Sequence, residues 1–255
     1  MEAHINHSGG RGGDRGRGDD PIVLPRGLIL LGFAWLMVSW AMAMGFQPPL
    51  HPSAASYEPG VKMMLLSLMI GITIAWPLYR LSQPPASRPI LQTVLDLLVL
   101  LAMSQVVIWP LRLVTTWSRL TTAAMDVGLI AWTVLIGAII ASSIGSARRG
   151  PRTLAMAACL GLALIVPALA WLGAARGVVN DERSILSPLL FMHALAEARG
   201  FNPSASAWLH LAVVGAAAML AWVAVGFAGL KGGRGGAGEG AAGGSTGGEG
   251  GGALS

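Results

Sequence analysis

The sequence predicts an all-α integral membrane protein, a bundle of six transmembrane helices between two disordered tails. The first reason is composition: 54% of the 255 residues are apolar and 11% are charged, whereas a soluble domain carries about 25% charged residues. The second is distribution, because the charges crowd into the tails and short connections and leave long uncharged runs between them. The third is length, since six of these runs reach the roughly 20 residues that cross a bilayer.

Both ends of the chain are predicted to be disordered. Residues 1–26 consist largely of Gly, Arg and Asp and offer little apolar surface for a core. Residues 231–255 are Gly-rich with scattered Glu, Ser and Thr, a composition typical of a flexible tail. Between the tails, the predicted spans cover about residues 27–45, 61–78, 90–109, 120–144, 153–172 and 207–230.

Prolines help to place the span boundaries. Pro48 follows the first span, Pro77 lies near the end of the second, and Pro110 closes the third. Each of them removes a backbone donor and so favours the end of a helix. Pro167 lies inside the fifth span, where neighbouring helices are expected to satisfy the carbonyl group that it leaves free.

The long connection between the fifth and sixth spans contains the start and stop signals of one more helix. Ser187 fits the N-cap, Pro188 fits the first turn, and Gly200 fits the position after the end, so a helix is predicted over residues 188–199. Its apolar content indicates that it lies along the outer membrane interface or re-enters between the spans.

The positive charges predict the orientation of the chain. Eleven Lys and Arg residues lie in the tails and connections on the side of the N-terminus, and six lie on the opposite side. This asymmetry predicts that both termini are cytoplasmic. The excess of Arg over Lys, together with abundant Gly and Ala, is typical of GC-rich bacterial genes, so the expected location is a bacterial inner membrane. The basic pI indicates attraction to anionic lipid, and no nucleic-acid partner is expected.

The fourth span carries a stripe of small and polar residues. In helical register Asp126 shares a face with Thr122, Thr133, Gly137 and Ala141, while the other faces are apolar. Such a face turns toward other helices and not toward lipid. We therefore expect the bundle to pack around this span, with Asp126 pointing inward.

Asp96 and Asp126 are the two carboxylates within spans, and an intramembrane acid is a candidate functional group. Each lies roughly 9 Å from its nearer membrane boundary, on opposite sides, so they are separated by roughly 12 Å across the bilayer. That distance excludes a shared-proton pair but leaves a stepped polar path open. Alternatively, arginines of the connections satisfy both acids, with Arg80 or Arg88 serving Asp96. Arg112 or Arg119 would serve Asp126 in the same way.

Three histidines are predicted to lie on the outer side. They are His51, His193 and His210, and Glu197 follows His193 by one helical turn. Together they could bind zinc or copper, although their spacing matches no metal-binding motif. The single cysteine, Cys159, excludes an internal disulfide.

The sequence favours a non-enzymatic function and identifies no cofactor. It contains no phosphate-binding glycine loop and no serine and histidine at one membrane depth. We predict a transport permease subunit or an accessory subunit of a larger membrane complex. The alternative is an outer-face metal-dependent enzyme or metal-binding protein that uses the three histidines. Small residues allow close helix contacts, within the chain or with a partner, at Gly137, Ala141 and Gly145 of the fourth span and Ala212, Gly215 and Ala216 of the sixth.

Overall fold

The structure is a computed structural model that describes residues 25–44, 53–146, 148–176, 187–197 and 202–235. Every regular element within these residues is a helix, which confirms the predicted all-α class. Six helical segments are long and apolar enough to cross a membrane. In chain order the elements are α1 Arg26–Met44, α2 Ala54–Ile70, a π-helical turn Gly71–Ala75, α3 Trp76–Ser82, α4 Pro89–Leu111, a 3-10 turn Arg112–Val114, α5 Arg119–Ile144, α6 Arg149–Ala175, α7 Pro188–Glu197 and α8 Ala205–Gly235.

Most of both predicted tails lies outside the described residues, as do residues 45–52, which include His51. The final helix, α8, runs past its predicted end at Leu230 and stops at Gly235. It therefore enters the segment that was expected to be disordered. Adding a residue to an existing helix gains one hydrogen bond per residue fixed, so a helix propagates more easily than it starts.

The second span is longer than predicted because the helix passes a proline without ending. Pro77 has no N–H to donate, and in a regular α-helix its ring would clash with the carbonyl group of Thr73. The backbone widens into the π-helical turn just before this point, and the N–H of Trp76 donates to the carbonyl oxygen of Gly71. The helix then continues as α3 and carries Arg80 beyond the predicted end of the span.

The connections gather at two ends of the bundle. The start of α1, the α3–α4 connection and the α5–α6 connection share one end, here called the proximal end, where the N–H of Ala86 donates to the carbonyl oxygen of Ile144. The α4–α5 connection, the end of α7 and the start of α8 share the distal end. There the indole N–H of Trp117 donates to the carbonyl oxygen of Ala196 at 3.3 Å. Successive spans therefore run in opposite directions.

Helix α5 is the centre of the bundle. In an apolar 18-residue window of each span, 67% of the α5 residues are buried, against 11% for α1, 19% for α6 and 22% for α8. It packs against α3, α4, α6, α7 and α8. The bundle packs around the fourth span as expected, except that α1 packs mainly against α2 and α4.

Small residues on α5 allow α4 to approach closely. A Cβ atom on Gly137 would lie 3.0 Å from the side chain of Leu97, and one on Gly145 would lie 3.1 Å from Pro89. Ala141, between these glycines, is also buried. The small-residue face predicted for the fourth span is thus used within the chain.

Helix α7 penetrates between the spans. It packs against α2, α5 and α6, and its residues Phe191 and Met192 are buried. A Cβ atom on Gly128 of α5 would lie 3.3 Å from Phe191 and 3.5 Å from Met192. At about 1.5 Å per residue, Gly128 lies about 13 Å from the distal start of α5. Of the two predicted placements, re-entry is the one that this packing supports.

Replacing Gly137 with Leu is expected to lower the Tm of the purified protein in detergent. The new side chain would displace Leu97 from the α4–α5 contact, and overpacking of this kind costs about 1–3 kcal/mol. Gly215→Leu on α8 is the control, because a Cβ atom there meets nothing within 4 Å. Equal Tm values for the two variants would contradict the tight α4–α5 packing.

Candidate functional site

The most fully buried acid among the described residues is paired with an arginine. Asp96 of α4 has no exposed surface, and Arg80 of α3 is 8% exposed. The Nε atom of Arg80 lies 2.7 Å from Oδ2 of Asp96, and Nη2 donates to Oδ1 at 3.4 Å. Of the arginines considered for Asp96 from sequence, the structure pairs it with Arg80.

Helix register brings the two charged side chains together. On α3, Arg80 follows the buried Trp76 by four residues, so both side chains face inward. On α4, Gln92 precedes Asp96 by one turn, and its amide donates to the carboxylate at 3.5 Å. A helix that ended near Pro77 would not present Arg80 on this inward face.

The pair belongs to a wider polar cluster at the proximal end. Arg80 also donates through Nη1 to the side-chain oxygen of Gln83. Arg152 of α6 donates to the backbone oxygen of Gln83 at 2.6 Å. The cluster of Arg80, Gln83, Gln92, Asp96 and Arg152 therefore connects α3, α4 and α6. We call it the Arg80 cluster.

Pairing removes most of the cost of placing these charges within the membrane region. An isolated charge is expensive there, and a paired, hydrogen-bonded one is tolerated. At about 1.5 Å per residue, Asp96 lies about 10 Å from the start of α4. The long arginine side chain reaches that depth from the proximal end of α3. The arrangement fixes the relative rotation of α3 and α4, because rotating either helix would leave a buried charge alone.

Asp126 occupies a less buried position than the sequence suggested. It is half-buried and lies on a partly exposed strip in the distal half of α5, together with Ala123, Val127 and Ile130. Asp126 therefore points toward the neighbouring helix α4 without being fully buried. Helix α5 has buried residues on several sides, so the polar stripe did not mark its only inward face.

The partner of Asp126 is an amide and not an arginine. The side-chain amide of Gln105 on α4 donates to Oδ1 of Asp126. The indole N–H of Trp109, whose ring is partly exposed, donates to Oε1 of Gln105 at 2.8 Å. Neither Arg112 nor Arg119 forms an ion pair with Asp126 in the described part of the chain. This second polar chain leads toward the distal surface.

Buried hydroxyl groups of the spans are satisfied within their own helices. Thr122 donates to the carbonyl oxygen of Ser118 at 3.1 Å, and Thr133 donates to that of Leu129 at 2.6 Å. The same local pattern, which is common for Ser and Thr in helices, occurs at Thr73, Thr93 and Ser104. Among the described residues, no chain of side-chain hydrogen bonds joins Asp96 to Asp126.

The candidate metal ligands are not brought together in the described residues. On the partly exposed side of α7, Nδ1 of His193 lies 3.8 Å from Oε2 of Glu197. His210 of α8 is buried, and its ring centroid lies 4.4 Å from that of Phe191. Because Phe191 and His193 are about 200° apart in helical register, His193 faces away from His210.

The described candidate ligands form no metal site by themselves. Within the residues that the structure describes, no three His, Cys, Asp or Glu side chains form a group that could hold a metal ion. The third predicted ligand, His51, lies outside the described residues. A zinc or copper site that includes it stays a prediction.

Comparison of the chain with family models, curated proteins and solved structures finds no match. The six apolar spans define a polytopic membrane protein in contact with the lipid bilayer.

Removing either charge of the central pair is expected to destabilise the protein. Asp96→Asn would leave the buried guanidinium of Arg80 without a counterion, and Arg80→Gln would leave the carboxylate alone. Each loss is expected to cost about 3–5 kcal/mol. The measurement is the midpoint of thermal or denaturant unfolding in detergent.

Two controls separate pairing from a general effect of mutation. The double variant Arg80→Met with Asp96→Leu removes both charges and is expected to be more stable than either single variant. Asp126→Asn keeps a hydrogen-bonding group beside Gln105 and is expected to cost less than Asp96→Asn. A silent Asp96→Asn beside an unstable Asp126→Asn would contradict the assignment.

Proposed function

We propose that the protein is a non-enzymatic accessory subunit of a larger membrane complex, and that α8 contacts a transmembrane helix of another subunit. The observation that carries this proposal is the small-residue face of α8. Ala212 and Ala216 are exposed, and a Cβ atom on Gly215 would meet nothing within 4 Å. Faces of this kind allow helix backbones to approach closely in a membrane.

The comparison with α5 supports this interpretation. Gly137 and Gly145 of α5 contact α4 so closely that a Cβ atom would crowd its neighbours. Gly226, three turns beyond Gly215 on the same side of α8, also has nothing within 4 Å of a Cβ position. One small-residue face thus serves packing within the chain, and the other is free to serve a partner.

The alternative of a transport permease subunit has less support. Transport of an ion or proton by the two acids would need a polar route between them. Asp96 is neutralised by Arg80, and the described residues contain no hydrogen-bonded route from there to Asp126. Buried charges that hold the helices in one arrangement fit a structural role better than a transport role, which requires the helices to move.

A matched pair of substitutions on α8 tests the partner contact. Ala216→Leu places bulk on the small-residue face and is expected to reduce the assembled complex about tenfold, as overpacking by about 1–3 kcal/mol would do. Ala217→Leu makes the same chemical change on the next residue, which is also exposed but points about 100° away. The measurement is blue native electrophoresis of mildly solubilised native membranes. If both variants assemble as the wild type does, the proposed contact is wrong.

We also propose a bacterial inner-membrane location with both termini cytoplasmic, which makes the proximal end the cytoplasmic one. The excess of Lys and Arg on the N-terminal side supports this orientation. Arg80, Arg148, Arg149 and Arg152 all belong to that end.

Labelling of single cysteines in spheroplasts tests the orientation. Replacing the buried Cys159 by Ala gives a background without cysteine. A membrane-impermeant maleimide is expected to label Asn202→Cys in intact spheroplasts. Labelling of Ser146→Cys is expected only after the membrane is opened. The opposite labelling pattern would show that the termini are on the outer side and would contradict the proposed orientation.

A further inference from the structure

An open groove lies at the proximal end between three helices. Its volume is about 470 Å³, and its walls are the start of α4 at Pro89, the end of α5 from Ala141 to Ser146, and α8 from Ala224 to Ala228. The walls combine small apolar side chains with the hydroxyl groups of two serines. We call it the proximal groove.

The arginines of the proximal end are divided between two uses. Arg80 and Arg152 are held within the Arg80 cluster. Arg148 and Arg149 directly follow the groove wall in sequence, are exposed, and form no ion pair with an acid among the described residues. The connections at this end, residues 83–88 and 145–148, contain no acidic residue in the sequence.

The polar atoms of the groove suit a phosphate group. The hydroxyl oxygen of Ser146 accepts the backbone N–H of Arg148 at 3.2 Å, which leaves its own proton free to be donated. The side chain of Ser142 is exposed and donates to the carbonyl oxygen of Ile139 at 2.7 Å. Phosphate oxygens accept hydrogen bonds from hydroxyl groups and from arginine, and arginine binds them with two parallel bonds.

The dimensions of the groove indicate a lipid and not a spanning helix. Along α5 the wall from Ala141 to Ser146 is about 8 Å long at about 1.5 Å per residue. A partner helix would need a seat along the roughly 30 Å of the hydrocarbon core. A groove limited to the membrane boundary, with an apolar wall on α8 and Arg148 bonded through its backbone to Ser146 of the α5 wall, matches one acyl chain and one headgroup.

From this geometry we infer that the proximal groove binds an anionic phospholipid. Its phosphate lies at Ser146 and Arg148, and an acyl chain lies against Ala224 and Ala228. Basic pockets between transmembrane helices recognise anionic headgroups in this way. The groove and the small-residue face lie on different faces of α8, so lipid binding is separate from the proposed partner contact.

Native mass spectrometry of the detergent-solubilised full chain tests the inference. The probes are dioleoyl phosphatidylglycerol and dioleoyl phosphatidylcholine, which share acyl chains and differ in headgroup charge. Wild-type protein is expected to retain phosphatidylglycerol preferentially. The double variant Arg148→Gln with Arg149→Gln is expected to bind it about 25-fold more weakly, at about fivefold for each basic residue. Arg176→Gln, which changes an exposed arginine of the opposite end, is expected to have no effect.

A second set of variants tests the groove itself. Ser142→Phe and Ala224→Phe fill it from opposite walls and are expected to abolish selective retention while the arginines remain. Ala217→Phe adds the same bulk outside the groove and is expected to retain it. An unchanged Tm shows that a variant is folded. One folded variant of the two that fill the groove is enough for the test.

Three results would overturn the inference. Equal retention of the two lipids would show that the groove does not select an anionic headgroup. Full phosphatidylglycerol binding by a folded, groove-filled variant would place the lipid elsewhere. A photoreactive phenylalanine at Ala228 that crosslinks to protein in native membranes, and not to phosphatidylglycerol, would assign the groove to a partner.

Discussion

The buried pair of Arg80 and Asp96 constrains how the outer helices are arranged around α5. Neither charge tolerates isolation at that depth, so α3 and α4 must keep their inner faces together. Gln83 extends the same constraint to α6 through Arg152. A pair of this kind adds little net stability compared with an apolar core, but it penalises every alternative rotation. The small residues of α5 then provide the space in which the helices pack.

The fold follows from the sequence to a large extent because a bilayer leaves the backbone few choices. A lipid-exposed segment must satisfy its own hydrogen bonds, so length and apolarity alone predict six helices. The central place of α5 was also predictable, since Thr122, Thr133 and Gly137 form a face that lipid would not favour. Each of these residues is buried in the structure.

The candidate site was harder to predict, for reasons visible at particular residues. The polar stripe of α5 implied one inward face, but α5 has buried residues on several sides, and Asp126 lies on a partly exposed strip beside α4. The inward position of Asp96 depends on Arg80, which a helix ending at Pro77 would not present. The residues 188–199 carry signals for where a helix starts and ends, but not for how deeply it enters, and depth is what placed His210 beside Phe191.

The direction in which Arg80 points depends on the number of residues in the π-helical turn of the second span. Each residue added to or removed from a helix rotates everything beyond it by about 100°. Arg80 faces Asp96 because the number of residues between Gly71 and Trp76 sets the rotation of α3 about its helix axis. If the flanking helices kept their geometry, removing one residue from this turn would move Arg80 to the place of Tyr79, which lies against Gly27 of α1 and away from Asp96. Whether a related sequence shares this architecture therefore depends on the length of the turn as much as on the identities of the paired residues.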